Sequence, residues 1–224
     1  MPEDREATLM SEPQATAFAQ PRTTVRRGSD PKQERSARTR LRVLIGAAEL
    51  FTERGFRHTS VKDVADRVEM TKGAVYFHYP TKESLAVAIV EEHYGRWPKI
   101  LDEVTKEGRG PLDTAARMLE CAAIAFQDDV IVQAGARLQL ERPQIDAELP
   151  TPYVGWVSLL ESLLTSAQEA GELRPGVEPG RAARSLVSAF FGSQHVSDVL
   201  SGRADVVERW RDLSELLFRS IRGD

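Results

Sequence analysis

Between Gly55 and Thr81 the chain is punctuated too closely to fold in many ways. An apolar stripe of Val43, Leu44, Ala47, Ala48, Leu50 and Phe51 has helical spacing and stops at Gly55, a natural residue just past a helix end. Thr59 or Ser60 then offers an N-cap for a short helix over 61–68, with Val61, Val64, Ala65 and Val68 on one face. Thr71 caps a second short piece, 72 to about 78, before Pro80 stops it and Thr81 caps the next helix from Lys82. Short helix, tight turn, short helix is helix-turn-helix geometry.

The 3.6-residue period then continues to the C-terminus. Helices are expected over 82–105 with a disturbance near Pro98, then over 112–127, 130–141, 152–170, 179–200 and 204–221, while the first helix starts at Ser36. Gly- and Pro-containing breaks fall at GRGP, ERPQIDAELPTP, AGELRPGVEPG and SGR, and no strand pattern competes. The expected fold is all-α, with a three-helix helix-turn-helix domain over 36–97 and a larger helical domain over 98–224. Residues 1–35 carry Pro2, Pro13, Pro21, Pro31 and Gly28 and little apolar periodicity, so they are expected to stay outside the fold as a disordered tail.

At 224 residues, with 41% hydrophobic and 29% charged side chains, there is room for two functions. No apolar run reaches the roughly 18 residues of a membrane span. The start MPEDREATLM lacks the basic and apolar regions of a secretory signal. Cys121 is the only cysteine, which excludes an internal disulfide and a thiolate metal site; within ECAAIAF it reads as a small buried side chain. The expected compartment is the cytoplasm, with no membrane contact, metal or cofactor.

The net charge of -4 hides an asymmetry: residues 1–20 sum to -3, 21–42 to +6, 43–97 to -1 and 98–224 to -6. A cationic segment leading into the first helix suits DNA, because phosphate neutralisation supplies most sequence-independent affinity. Simple solvation of that segment is the competing reading, and an architectural DNA protein is disfavoured by the acidic C-terminal half. Thr71, Lys72, Gly73 and Ala74 open the second short helix with mostly small side chains, allowing close approach to bases and phosphates. Gly73 would otherwise cost about 1 kcal/mol against alanine inside a helix. Thr59, Ser60 and Lys62 can add phosphate hydrogen bonds, and Arg38, Arg40 and Arg42 backbone contacts. Arg22, Arg26 and Arg27 are candidates for the minor groove.

The stretch TRLRVLIGAAELFTERGFRHTSVKDVADRVEMTKGAVYFHYPTKESLAVAIVEE, about a quarter of the chain, resembles the DNA-binding domain of the tetracycline-repressor (TetR) family of bacterial regulators. The resemblance implies a dimeric repressor of pseudo-palindromic operator DNA, controlled by a small molecule in the C-terminal domain. It places Tyr76, His78 and Lys82 at backbone contacts, and it supplies an aromatic pair, Phe77 and Tyr79, of which Phe77 is assigned to the core. It also implies dimerisation through the last two helices, with Val187, Phe190, Phe191, Trp210, Leu213 and Leu217 as interface candidates; filling the core of one subunit is the alternative.

TKGAVYFHYPTKESLA, QAGARLQLE and PYVGW further resemble the actinobacterial receptors for gamma-butyrolactone and furan signals that control antibiotic biosynthesis. In that branch a tryptophan closes the ligand cavity, and Trp156 occupies its place. Tyr94, Gln139 and Tyr153 are the polar candidates around it and Leu138, Phe126 and Leu163 the apolar lining. Arg137 is read as a surface residue. The helix from Lys82 through His93 and Tyr94 to Trp97 is the expected lever between ligand and DNA. One alternative is a multidrug-responsive repressor of an efflux pump, which would use acidic pocket residues such as Glu120, Asp128 or Glu141. The other is an enzyme with an accessory DNA-binding end. Against that enzyme, His58 and His78 belong to the motif, and His93 and His195 have no ligand partners at helical spacing and read as polar surface or pocket lining. Known catalytic fingerprints are lacking.

Overall fold

Local capping and apolar periodicity together produce the helices found in a computed structural model, which describes residues 31–223. In chain order these are α1 (Pro31–Arg54), α2 (Val61–Arg67), α3 (Lys72–His78), α4 (Lys82–Lys106), α5 (Pro111–Asp128), α6 (Val130–Leu140), α7 (Val154–Glu169), α8 (Pro179–Ser201) and α9 (Val206–Ile221), with a 3-10 turn at Arg142–Gln144 after α6. Among the described residues the β pairing amounts to one bridge between Leu173 and Arg222. No described helix is long and apolar enough to cross a membrane.

Ser60, not Thr59, caps α2: its hydroxyl accepts from the Asp63 N–H, and the Asp63 carboxylate accepts from the Ser60 N–H at 2.7 Å. Thr71 accepts from the Ala74 N–H at 3.2 Å to start α3, and Thr81 and Ser84 form a second reciprocal cap on α4. Gly55 sits at φ +80°, the left-handed conformation that lets the chain leave α1 sharply.

Most helices start and end within a residue or two of the expectation, α9 for example at Val206 rather than 204, and the differences at α1, α7 and α4 have clear physical reasons. Helix α1 begins at Pro31 rather than Ser36, because its first turns are exposed and carry no apolar stripe, while proline at the first helical position is pre-set for the helix. The tail expected to be disordered otherwise lies outside the described residues, as do Arg22, Arg26 and Arg27. Helix α7 starts at Val154 rather than at residue 152, because Tyr153 takes φ +69° and cannot be a helical residue. Helix α4 passes through Pro98 without ending and runs to Lys106.

Two apolar clusters form. One joins α1, α2, α3 and the first half of α4, and it includes Ile131, Ala134 and Leu138 of α6. The other, in α5, α7, α8, α9 and the second half of α4, holds Trp97, Phe126, Trp156, Phe190 and Trp210. Helix α4 therefore contributes to both clusters, and α6 carries the ligand-side domain into the core of the helix-turn-helix. Close packing of α4 on α6 needs Gly135, where a Cβ would lie 2.5 Å from that of His93.

Candidate nucleic-acid interface and ligand cavity

Helix α3 separates into two faces by its phase. Val75 and Tyr79, one turn apart, are buried at 0% and 3% exposure, and the Tyr79 phenol accepts from Arg40 Nε at 3.3 Å. Gly73 and Phe77 are also one turn apart and point the opposite way, and Phe77 is 81% exposed. This corrects its assignment to the core: two positions past Val75 is about 200° around a helix, so only Tyr79 of the aromatic pair can turn inward. A Cβ at Gly73 would meet nothing within 4 Å, so no packing inside the chain requires glycine there. Lys72 is exposed beside Tyr76, its ammonium 5.5 Å from the ring centre, and the two form a second strip along the same open side.

Other DNA candidates are placed differently. Ser60, Lys62, Thr71 and Arg38 are exposed, with the Ser60 and Thr71 hydroxyls also serving as caps; Ala74 and His78 are half-buried. Thr59 is 2% exposed and donates to the Gly55 carbonyl at 2.9 Å, so its hydroxyl holds the α1–α2 turn instead of facing a phosphate. Lys82 donates to the Phe56 carbonyl at 3.0 Å and lies 4.0 Å above the Phe56 ring. Arg42 is drawn to the Val68 carbonyl. These cations brace the domain by donating to carbonyls just past the ends of α1 and α2, which the helices themselves leave without donors.

A cavity of about 60 Å³ lies between α4, α6, the segment before α7, and α8. It is lined by His93, Tyr94, Ala136, Gln139, Leu140, Pro152, Tyr153, Trp156, Phe191, Gln194 and His195. The four polar or indole candidates Tyr94, Gln139, Tyr153 and Trp156 thus meet at one place. Leu138 and Phe126 are fully buried in the neighbouring clusters, and Leu163 packs elsewhere on the second cluster, so none of the three lines the cavity. The lining, all of it described, contains no Asp, Glu, Lys or Arg. Glu120 pairs with Arg117 and Arg211, Glu141 with Arg137, and Asp128 is exposed, so the acidic residues named for a drug pocket are not there.

The polar groups of the cavity are pre-aligned. Gln139 donates through Nε2 to the Tyr94 hydroxyl at 3.1 Å and to the Pro150 carbonyl at 3.3 Å. Its own Oε1 is buried with no hydrogen-bond partner. Burial pushes the Tyr94 phenol up to about 12, so it stays protonated and can donate beyond Gln139. Tyr153 is held in the left-handed region with its ring 4.6 Å from that of Phe191, a strained position of the kind that gathers at binding sites. His93 is buried; desolvation lowers its pKa to about 4, against the opposing effect of its bond to Val132. Its Nδ1 lies 3.1 Å from the Val132 carbonyl, which only accepts, so Nδ1 carries the proton and Nε2 is the acceptor.

The helix bearing Gln139 also grips the DNA-binding domain. Glu141, the C-cap of α6, accepts from the Phe56 N–H at 2.6 Å, and Arg137 donates to the Thr52 carbonyl at 2.6 Å while bonding Glu141 at 3.0 Å. Arg137 is therefore a bridge to α1 and not a free surface residue. A Cβ on Gly55 would come 2.5 Å from Glu141 Oε1, so glycine serves both the turn and this contact.

The dimer candidates divide. Val187, Phe190 and Trp210 are at most 5% exposed within one chain, Phe191 lines the cavity, and Leu213 and Leu217 are half-buried. The open apolar surface is instead Val196, Val199 and Leu200 on α8, at 44%, 69% and 68%, with Leu216 on α9 at 67%. Helix α8 bears two stripes, and the longer one fills the core of its own subunit. The spacing of Val196, Val199 and Leu200 was the signal for the second.

The profile described as Bacterial regulatory proteins, tetR family, matches residues 43–89, and Tetracyclin repressor-like, C-terminal domain, matches 111–223. The chain belongs to the TetR family. Within that family it is 61% identical to a solved structure described as the molecular basis for control of antibiotic production by bacterial hormones; the match covers 83% of this chain and 98% of that one, with a TM-score of 0.78. It is 32% identical over 186 residues to the A-factor receptor protein of Streptomyces griseus, covering 81% of this chain and 64% of the relative's length. It is also 29% identical to full-length TylP, a TetR regulator from Streptomyces fradiae, covering 84% and 89% of the two chains with a TM-score of 0.63. The two TetR-family profiles fall on α1 to α4 and on α5 to α9, the halves that carry the DNA face and most of the cavity wall.

Proposed function

We propose that this protein is a cytoplasmic transcriptional repressor that binds pseudo-palindromic operator DNA as a homodimer and is released by a small signalling molecule of the gamma-butyrolactone or alkylfuran class. Its targets would be antibiotic biosynthesis genes. The observation that carries the reading is a cavity without charged side chains whose polar residues Gln139 and Tyr94, hydrogen-bonded to each other and with Gln139 Oε1 buried and unpaired, sit on the two helices that hold the helix-turn-helix. A ligand hydroxyl or carboxylic acid can donate to Gln139 Oε1 and accept from Tyr94, while Trp156 and Phe191 cover its alkyl part. The relatives, an A-factor receptor and a regulator described through hormone control of antibiotic production, point the same way.

The size of the cavity supplies the mechanism. Small-molecule sites commonly measure about 300–1,000 Å³, against about 60 Å³ here. Filling it must push α4, α6 and α8 apart. Because α6 binds Thr52 and Phe56 through Arg137 and Glu141, and Lys82 of α4 binds Phe56, the displacement reaches α1 and the α1–α2 turn directly. The two α3 helices of a dimer must sit one DNA turn apart, so a small shift in each lowers DNA affinity. The subunits join through Val196, Val199, Leu200 and Leu216. The reading is tested by titrating a protein–DNA complex, formed on the DNA upstream of its own gene at low salt, with butyrolactone and alkylfuran extracts and separately with cationic drugs. Release by the first group supports it; release by drugs alone refutes the ligand class, and failure to bind DNA refutes the repressor.

A further inference from the structure

Phe77 has no structural employment within its own chain. It is 81% exposed, the most exposed large apolar side chain among the described residues, and its ring meets that of His78 edge-on, with centroids 5.1 Å apart. The fold does not need it, because the buried face of α3 is complete with Val75 and Tyr79. It lies one turn after Gly73, on the side where a Cβ would have met nothing, and beside the Lys72–Tyr76 strip. The open side of α3 therefore runs from a bare backbone to a flat apolar ring, flanked by a cation.

Resting on the DNA-binding reading above, we propose that Phe77 is a specificity-determining residue that packs on thymine C5-methyl groups in the major groove. Thymine is the base whose major-groove edge bears an apolar group; guanine, adenine and cytosine present acceptors and amino groups there. A phenyl ring against those polar edges would strip their water and return no hydrogen bond, whereas against a methyl it removes apolar surface from water on both sides. The occupant of this apolar face is thus a DNA duplex, by continuity with the Lys72 and Tyr76 surface, and its preference is for thymine in both half-sites.

The test uses the full chain on a duplex selected from a randomised pool. Each thymine is replaced singly and in symmetric pairs by deoxyuridine, which removes only the methyl, and affinities of the wild type and Phe77→Ala are compared by fluorescence anisotropy. One symmetric thymine pair is expected whose replacement weakens wild-type binding by about fourfold per methyl and leaves Phe77→Ala unaffected. The exposed ring predicts an unchanged melting temperature for the variant. Deoxyuridine without effect at every position, equal losses in both proteins, or a selected duplex with no recurrent thymine would overturn the assignment. Failure of the wild type to select any duplex would instead overturn the DNA-binding reading.

Discussion

The DNA face and the ligand cavity are built in opposite ways. The face comes from one continuous stretch, Ser60 to Phe77, whose helices are capped locally, and its distinctive side chains stand open to solvent. The cavity draws on α4, α6, the 150–153 segment, α7 and α8, residues up to about a hundred apart, and is closed to about 60 Å³. One surface is ready for its partner and the other must be opened by it. On the function proposed above, that difference would let a single ligand act on both: filling the narrow cavity would displace α4 and α6, which brace the helix-turn-helix.

The comparison breaks first at Gly73. Gly73→Leu should leave stability unchanged or slightly higher, since the site is exposed and helical, yet weaken DNA binding by about a hundredfold, roughly 3 kcal/mol. Thermal melts and anisotropy together check this, and ligand affinity should not move.

His93 is next. Its folded pKa of about 4 lies below the ordinary value of 6.5, so between those pH values the unfolded chain holds more protons than the folded one. The contribution is complete above about pH 6.5 and is lost as pH falls toward 4, amounting to about 2 kcal/mol at pH 5. Denaturant unfolding across this window should show the loss, and His93→Asn should flatten it. Arg96 and Asp129 are the charges acting on the ring, in opposite senses.

Gln139→Leu removes a buried acceptor that has no partner, so stability should hold or rise, while affinity for a hydroxyl-bearing signal falls about tenfold. Calorimetric titration reads the loss, and DNA affinity should stay put. The smallest effect is expected at Glu141: replacement by alanine frees the Phe56 N–H and loosens α6 from α1, lowering DNA affinity by a few-fold and raising ligand affinity by a similar factor. Equal losses of both affinities would mean that Glu141 only stabilises the fold.

Legibility in the sequence follows the same division. Helices α2 and α3 were readable to within a residue because Ser60, Thr71, Thr81 and Gly55 act on their own neighbours. The first turns of α1 were not, having no apolar face. At the DNA face, Thr59 and Phe77 depart from the sequence expectation: the hydroxyl next to the true cap turns inward, and helix phase admits only one of the two neighbouring aromatics to the core. Of the cavity, Tyr94, Gln139, Tyr153 and Trp156 were reached through resemblance to a family. Gln194 and Phe191, supplied by α8, depend on how that helix packs, and periodicity cannot report it. The α8 stripe assigned to the dimer was the core stripe, since apolar spacing marks burial without saying against what.

The most direct test of the link between cavity and DNA face is to measure the signal's affinity for the protein alone and for the protein saturated with operator. Linkage predicts weaker ligand binding on DNA, by the same factor by which saturating ligand weakens DNA binding. Equal ligand affinity in the two states would contradict the account, because the closed cavity would then have no part in holding the helix-turn-helix on its operator.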